Sequence, residues 1–306
     1  MDMEPSSSDT RPHNHRWFYR KMYSAEIFQM VSRLHRLFGR SFYRAVAWAI
    51  GWVYAETHHG VVRTVRENLG LLQPSGVSVA EAKRVFSNFA VTIGDYFTVG
   101  NIAQSQADAW CVEREGKEHL SEAYQAGNGA ILATGHYGFF EFGALLIGRM
   151  GWDISVVTQA EPTAALTAWR AAFRKRWGAD TIEIGTDAFA SLRVLKTLEA
   201  GKFAAMLIDR PFGDFTTDVE LPGGKALFSK SPALIAYMGD SAIIPVVVAA
   251  LPGGKYRMTA KPCIWPRRLG LARDQAVQLA TQQVAAALME EFVRDPGQWY
   301  QFPPLR

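Results

Sequence analysis

The chain has 306 residues, 48% hydrophobic and 12% aromatic, which allows one large or two small folded domains and excludes a chain that is disordered throughout. Two cysteines, Cys111 and Cys263, are too few for a disulfide framework and lack the Cys-x-x-Cys spacing of a structural zinc site. The net charge is +4, but residues 11–70 contain ten Lys or Arg and only three acids. This basic segment predicts either a solvated face or an anionic partner, such as a membrane surface or nucleic acid.

The N-terminal part of the chain changes character twice. Residues 1–15 are polar, without apolar periodicity, and are predicted to be a disordered tail. From about residue 24 to 38, apolar side chains recur at helical spacing with arginines on the other face, which predicts a basic amphipathic helix. Residues 16–72 are therefore expected to form basic, interfacial N-terminal helices.

The segment from Phe42 to Tyr54 is densely apolar. It is too short to cross a bilayer, which needs about 20 apolar residues. Trp48, Trp52 and the basic neighbours suit an interfacial helix, whereas the alternative is a helix packed on the protein's own core. The membrane surface is accordingly expected to be a partner through residues 16–60.

Residues 73–306 are predicted to form a single α/β domain. After helical stretches at 79–99 and 118–126, apolar runs of strand length alternate with further helical stretches. Strands that are apolar throughout, with helices between them, predict a mostly parallel central sheet flanked by helices on both faces. The predicted strands are Ala130–Ala133, Ile154–Val157, Thr181–Ile184, Phe203–Ile208 and Ile243–Val248.

The most informative motif follows the first of these strands. Gly135, His136 and Gly138 come at the strand end, and Glu141 lies five positions after His136. Inside one helix these two side chains would point about 140° apart. With His136 in the turn and Glu141 in the first turn of the next helix, the carboxylate can instead reach one imidazole nitrogen, leaving the other to accept a proton. The alternative is a strand-end histidine that only hydrogen-bonds the backbone.

This Gly-His-x4-Glu sequence resembles the signature of the lysophospholipid acyltransferase superfamily. It is most similar to the branch of bacterial lipid A late acyltransferases, the lauroyl and myristoyl acyltransferases. The resemblance extends over residues 25–302. Further matches occur in the family's order: Asn68-Leu69; Arg170, Arg174 and Arg176 before Trp177-Gly178; Asp209-Arg210; Ser231-Pro232-Ala233; Ile243-Ile244-Pro245-Val246; and Pro296-x-x-Trp299-Tyr300.

The resemblance implies transfer of a fatty acyl group from an acyl-carrier-protein or coenzyme A thioester to a hydroxyl or amine of a lipid or glycolipid acceptor, without a cofactor or metal. It implies that His136 is the general base and Glu141 its partner. It also implies that the substrate and the oxyanion are bound by Arg170, Arg174, Asp209 and Arg210. The acyl groove is expected to be lined by Tyr137, Phe139 and Phe140.

Other interpretations of these residues remain open from the sequence alone. Arg170 and Arg174 also suit a solvated helix face, Asp209-Arg210 a local ion pair, and the aromatic residues plain core. The family often has Asn-Trp directly before the acid, where this chain has Phe139-Phe140. The Pro-Glu-Gly element of glycerol-phosphate acyltransferases is missing, which argues against a lysophosphatidate acyltransferase and leaves the acceptor open.

The expected location is peripheral, on the cytoplasmic face of the bacterial inner membrane. The alternative function is a non-catalytic, peripheral membrane lipid-binding protein with the same fold. No nucleic-acid motif is present, so nucleic acid is not an expected partner.

Overall fold

A computed structural model describes residues 25–161, 163–185, 189–211 and 214–305, with side chains from residue 37 onward. The predicted tail at residues 1–15 lies outside these ranges. The helices are α1 (Ala25–Thr57), α2 (His59–Gly70), α3 (Val79–Val99), α4 (Gln104–Asp108), α5 (Lys117–Gln125), α6 (Phe140–Arg149), α7 (Ala164–Arg176), α8 (Ala190–Glu199), α9 (Ser231–Met238) and α10 (Arg273–Phe292). The strands are β1 (Cys111–Glu115), β2 (Ala130–Thr134), β3 (Ile154–Gln159), β4 (Ala179–Ile184), β5 (Phe203–Leu207), β6 (Thr216–Leu221), β7 (Gly224–Ser229), β8 (Ala242–Leu251) and β9 (Lys255–Ala260).

The centre of the fold is a seven-stranded sheet in the order β1-β9-β8-β2-β5-β3-β4. Every neighbouring pair is parallel except β8 and β9, which form an antiparallel pair. Strands β6 and β7 make a separate hairpin. The α/β class with a mostly parallel sheet is therefore confirmed.

Helices cover both faces of this sheet, as apolar parallel strands require. Alternate residues of β2 face opposite ways: Ile131 belongs to the core formed with α8, α9 and α10, whereas Leu132 belongs to the core formed with α5 and α6. The carboxyl ends of β2 and β5 lie side by side, with Thr134 paired to Leu207. The residues that follow these two strands are thereby brought together, and the candidate site lies there.

The N-terminal helix α1 covers both segments that the sequence divided, and its helical geometry is interrupted at Gly39. Two of its arginines, Arg40 and Arg44, point toward the protein interior. Arg40 contacts Asp95 of α3 through Nη2 at 2.8 Å, and Arg44 and Tyr43 also bind this fully buried carboxylate. These two arginines stabilise the packing of α1 on α3 and add little to an outward basic surface.

None of the helices in the described part of the chain combines the length and hydropathy needed to cross a bilayer.

Candidate active site

The turn after β2 is held in place by two neighbouring segments. The His136 carbonyl accepts from the Tyr300 N–H at 2.7 Å, and the Gly138 N–H donates to the Gln298 carbonyl at 2.9 Å. Gly138 has a φ of +54°, and a Cβ there would lie 2.1 Å from the Val248 carbonyl oxygen. Only glycine fits this position, so the close approach of β8 fixes the path of the chain past His136.

His136 is bound by Asp209, the residue that follows β5 by two positions. Nδ1 of His136 lies 2.8 Å from Oδ1 of Asp209, and the His136 backbone N–H donates to Oδ2 at 2.8 Å. Oδ2 also accepts from Trp299 Nε1 at 2.9 Å and from Gln301 Nε2 at 2.6 Å. Asp209 is fully buried, so these donors replace the water that a buried carboxylate loses.

The hydrogen bonds determine the protonation state of the pair. Burial alone would raise the pKa of Asp209, but the charge and hydrogen bond of His136, aided by Arg210 and Trp299, lower it to about 2. An ionised carboxylate only accepts hydrogen bonds, so Nδ1 of His136 must carry a proton. Burial lowers the pKa of His136 below its usual value, and Arg210 adds to this effect against the opposing influence of Asp209. The imidazole is therefore neutral near pH 7, with its lone pair on Nε2.

Glu141 occupies a different position from the one predicted. Its carboxylate pairs with Arg174, whose Nη2 lies 3.0 Å from Oε1 and 3.1 Å from Oε2, and with Arg170. Burial would raise the pKa of Glu141, but these two arginines outweigh it and the pKa is lowered. The prediction that the Glu141 carboxylate binds an imidazole nitrogen of His136 was wrong. Asp209, which follows the neighbouring strand β5, binds Nδ1 instead.

Arg170, Arg174 and Arg210, the arginines predicted to bind substrate, have different partners. Arg170 also contacts Glu161 and donates from Nε to Tyr96 Oη at 3.2 Å, so it is no solvated face residue. Arg174 is almost fully buried. Arg210 donates to Gln301 Oε1 at 3.0 Å and to the Tyr300 carbonyl at 2.7 Å, close enough to His136 to lower its pKa.

An apolar cavity lies beside this arrangement, between α6 and the sheet. The volume open to the centre of a water-sized molecule is about 50 Å³, and all the empty space there, open solvent included, is about 580 Å³. Phe140 lines it and lies against His136, with ring centroids 5.4 Å apart. Two of the three predicted groove residues are core instead. Tyr137 stacks on Phe292 at 4.5 Å, and Phe139 packs against Phe142 at 5.0 Å.

A model of the bacterial lipid A biosynthesis acyltransferases matches residues 15–305, nearly the whole chain. The chain belongs to this family. The predicted branch is thereby confirmed, and the protein is a lipid acyltransferase. A comparison with curated proteins found no match.

In this member of the lipid A acyltransferase family, the sequence identified Asp209 but assigned it to the substrate. One feature of the sequence could have paired Asp209 with His136. Asp209 comes two residues after the buried strand β5, just as His136 comes two residues after β2. Trp299 was recognised only as part of a closing motif, and Gln301 was missed. Both lie in the C-terminal segment, residues 296–305, which Asn68 of α2 holds by donating to the Gln301 and Pro303 carbonyls at 2.9 and 2.8 Å.

Proposed function

We propose that this acyltransferase moves a fatty acyl group from an acyl-carrier-protein or coenzyme A thioester to a hydroxyl or amine of a lipid or glycolipid acceptor. The observation that supports this most directly is the contact of Asp209 with Nδ1 of His136, which leaves Nε2 to accept a proton, while Phe140 packs against the imidazole and lines an apolar cavity. A base at this position is suited to deprotonate a nucleophile, and the cavity is suited to hold an alkyl chain. No cofactor is needed for this reaction.

The reaction follows from the protonation states. Nε2 of His136 takes the proton of the acceptor as its oxygen or nitrogen attacks the thioester carbon, and Asp209 stabilises the imidazolium that forms. The tetrahedral oxyanion then collapses, the carbon–sulfur bond breaks, and the imidazolium returns the proton to the thiolate. Arg210 is a better candidate to stabilise the oxyanion than Arg170 or Arg174, because the latter two are already bound by carboxylates.

The test is a turnover assay with the purified protein. We expect labelled acyl groups to pass from acyl carrier protein or coenzyme A thioesters into lipids of a bacterial extract, separated by chromatography. Saturable lipid binding without transfer or thioester hydrolysis would instead identify a non-catalytic lipid-binding protein.

We further propose that the protein acts at the cytoplasmic face of the bacterial inner membrane, held there by α1. Beyond Gly39, the outward face of this helix is apolar: Phe42, Ile50 and Val53 are all exposed. Such a face is suited to lie in the headgroup region of a bilayer, with nearby Trp48 and Trp52 stacked at 5.4 Å. Thioester donors are made in the cytoplasm, which supports that side.

Flotation on liposomes containing anionic lipid tests this attachment. The double variant Phe42→Asp and Val53→Asp should float about tenfold less than wild type, because each change places a charge at the apolar interface. Gln275→Asp with Gln278→Asp adds two charges at exposed positions of α10, outside α1, and serves as the matched control. Equal flotation of the double variant and wild type would remove α1 from the proposal.

A further inference from the structure

We propose that Ala205 and Phe203 set the length of the acyl chain that the cavity accepts. This inference rests on the proposed acyl transfer, since it concerns the pocket that would hold the donor's alkyl chain. The two residues lie two positions apart on one face of β5, where a small side chain that lines the cavity is followed by a large aromatic one.

The sheet contributes side chains to the cavity in layers. Registers between β2, β5 and β3 place Leu132, Ala205 and Val156 at one level, and Ala130, Phe203 and Ile154 two residues deeper. Alternate residues of a strand point to the same face, so each layer lies about 6.6 Å below the one before it. All three side chains of the upper level line the cavity. A chain that enters near Thr134 and Leu207 therefore passes this level before it meets the deeper one.

The opposite wall of the cavity is one face of α6. Phe140, Gly143, Ala144 and Ile147 line it at helical spacing. Gly143 and Ala144 are small, and a Cβ on Gly143 would come within 3.2 Å of the Val248 side chain. Space between helix and sheet therefore depends on small residues on both sides, and Ala205 is the small residue of the sheet's middle layer.

Phe203 lies one layer deeper than Ala205, which lines the cavity. Its side chain is fully buried, with its ring 6.0 Å from that of Trp152 and 5.6 Å from that of Tyr124. The cavity reaches Ala205 but not Phe203, which lies beyond it in the direction of travel. A bulky aromatic ring held by two others is a rigid floor, because close-packed side chains do not yield to an added methylene. The terminal methyl of the acyl chain would therefore stop above Phe203.

The experiment measures chain-length preference directly. Wild type and variants receive an equimolar mixture of decanoyl, dodecanoyl, tetradecanoyl and hexadecanoyl thioesters of acyl carrier protein, and mass spectrometry gives the proportion of each chain transferred or hydrolysed. Ala205→Ile should shift the preference toward shorter chains by about tenfold or more, since a few methylenes in an apolar pocket discriminate to this extent. Phe203→Leu should shift it toward longer chains.

Ala204→Val is the matched control. Ala204 is as buried as Phe203 and lies on the same strand as Ala205, but its side chain faces the core on the other side of the sheet. It should leave the chain-length proportions unchanged. If Ala205→Ile kept the wild-type proportions, or if Ala204→Val shifted them equally, the inference would be overturned.

A second readout separates this inference from the proposed reaction. Competition of free fatty acids of the same lengths with a fluorescent fatty acid measures occupancy of the cavity without turnover. Altered length preference in Ala205→Ile without any turnover by wild type would support the inference and contradict the proposed reaction. If wild type transferred acyl groups but Ala205→Ile changed the chain-length preference in neither measurement, the proposed reaction would be supported and the inference contradicted.

Discussion

Asp209→Asn should lower the rate of acyl transfer by about 10³–10⁴-fold while the protein stays folded, because it forces the wrong imidazole tautomer. Oδ2 of Asp209 accepts three N–H groups, from the His136 backbone, Trp299 and Gln301. The amide oxygen of the asparagine must take that place, so its NH₂ group faces Nδ1 of His136. Nδ1 then has to accept a hydrogen bond, its proton moves to Nε2, and the basic lone pair is lost.

Initial rates with a thioester donor and a lipid acceptor, alongside far-UV circular dichroism, measure this effect. His136→Ala gives the reference for complete loss of the base, and Asp218→Asn, an exposed change of the same kind, is the matched control. Near wild-type rates in Asp209→Asn would contradict the assignment of Asp209 as the partner of His136.

Glu141→Ala should lower the free energy of unfolding by about 3–5 kcal/mol, because it removes the carboxylate from a largely buried charge cluster. Arg174 retains only 2% of its side-chain exposure and finds its carboxylate partner in Glu141. Without Glu141 that guanidinium is left desolvated and uncompensated. Urea denaturation followed by circular dichroism measures the change, and Glu141→Asp should be affected less.

A double variant sharpens this second experiment. Glu141→Leu with Arg174→Leu removes the anion and the most buried cation together, while Arg170 keeps Glu161 as its partner. Replacing buried ion pairs by apolar residues is often nearly neutral, so the double variant should be more stable than Glu141→Ala. Full stability of Glu141→Ala combined with loss of activity would show instead that Glu141 acts on the reaction.

The sheet could be predicted from the sequence where its strands are apolar on both faces. The runs at β2, β3, β5 and β8 have this pattern because helices cover both sides of them. Strands β1, β6, β7 and β9 were missed. They carry charged residues, such as Glu113 on the edge strand β1 and Arg257 on β9 next to it, and β6 and β7 lie in the separate hairpin.

The site was predictable in its residues but not in its pairings. The spacing from His136 to Glu141 is local and can be found in one sequence. The contact between His136 and Asp209 joins residues 73 positions apart and depends on β2 and β5 being neighbours in the sheet. Strand order is set by tertiary packing, which apolar periodicity does not encode. The sequence therefore led to Glu141, which is near His136 in the chain, rather than to Asp209, which is near it in space.

The C-terminal segment has a consequence for when the protein becomes active during its synthesis. Trp299 and Gln301 provide two of the donors that hold Asp209, and Tyr300 holds the turn at His136. A ribosome makes the strands of the sheet and the helices that cover it before these residues emerge. In a nascent chain that ends before Trp299, the imidazole of His136 lacks the contacts that orient it. Acyl transfer should therefore begin only after Trp299 and Gln301 have left the exit tunnel.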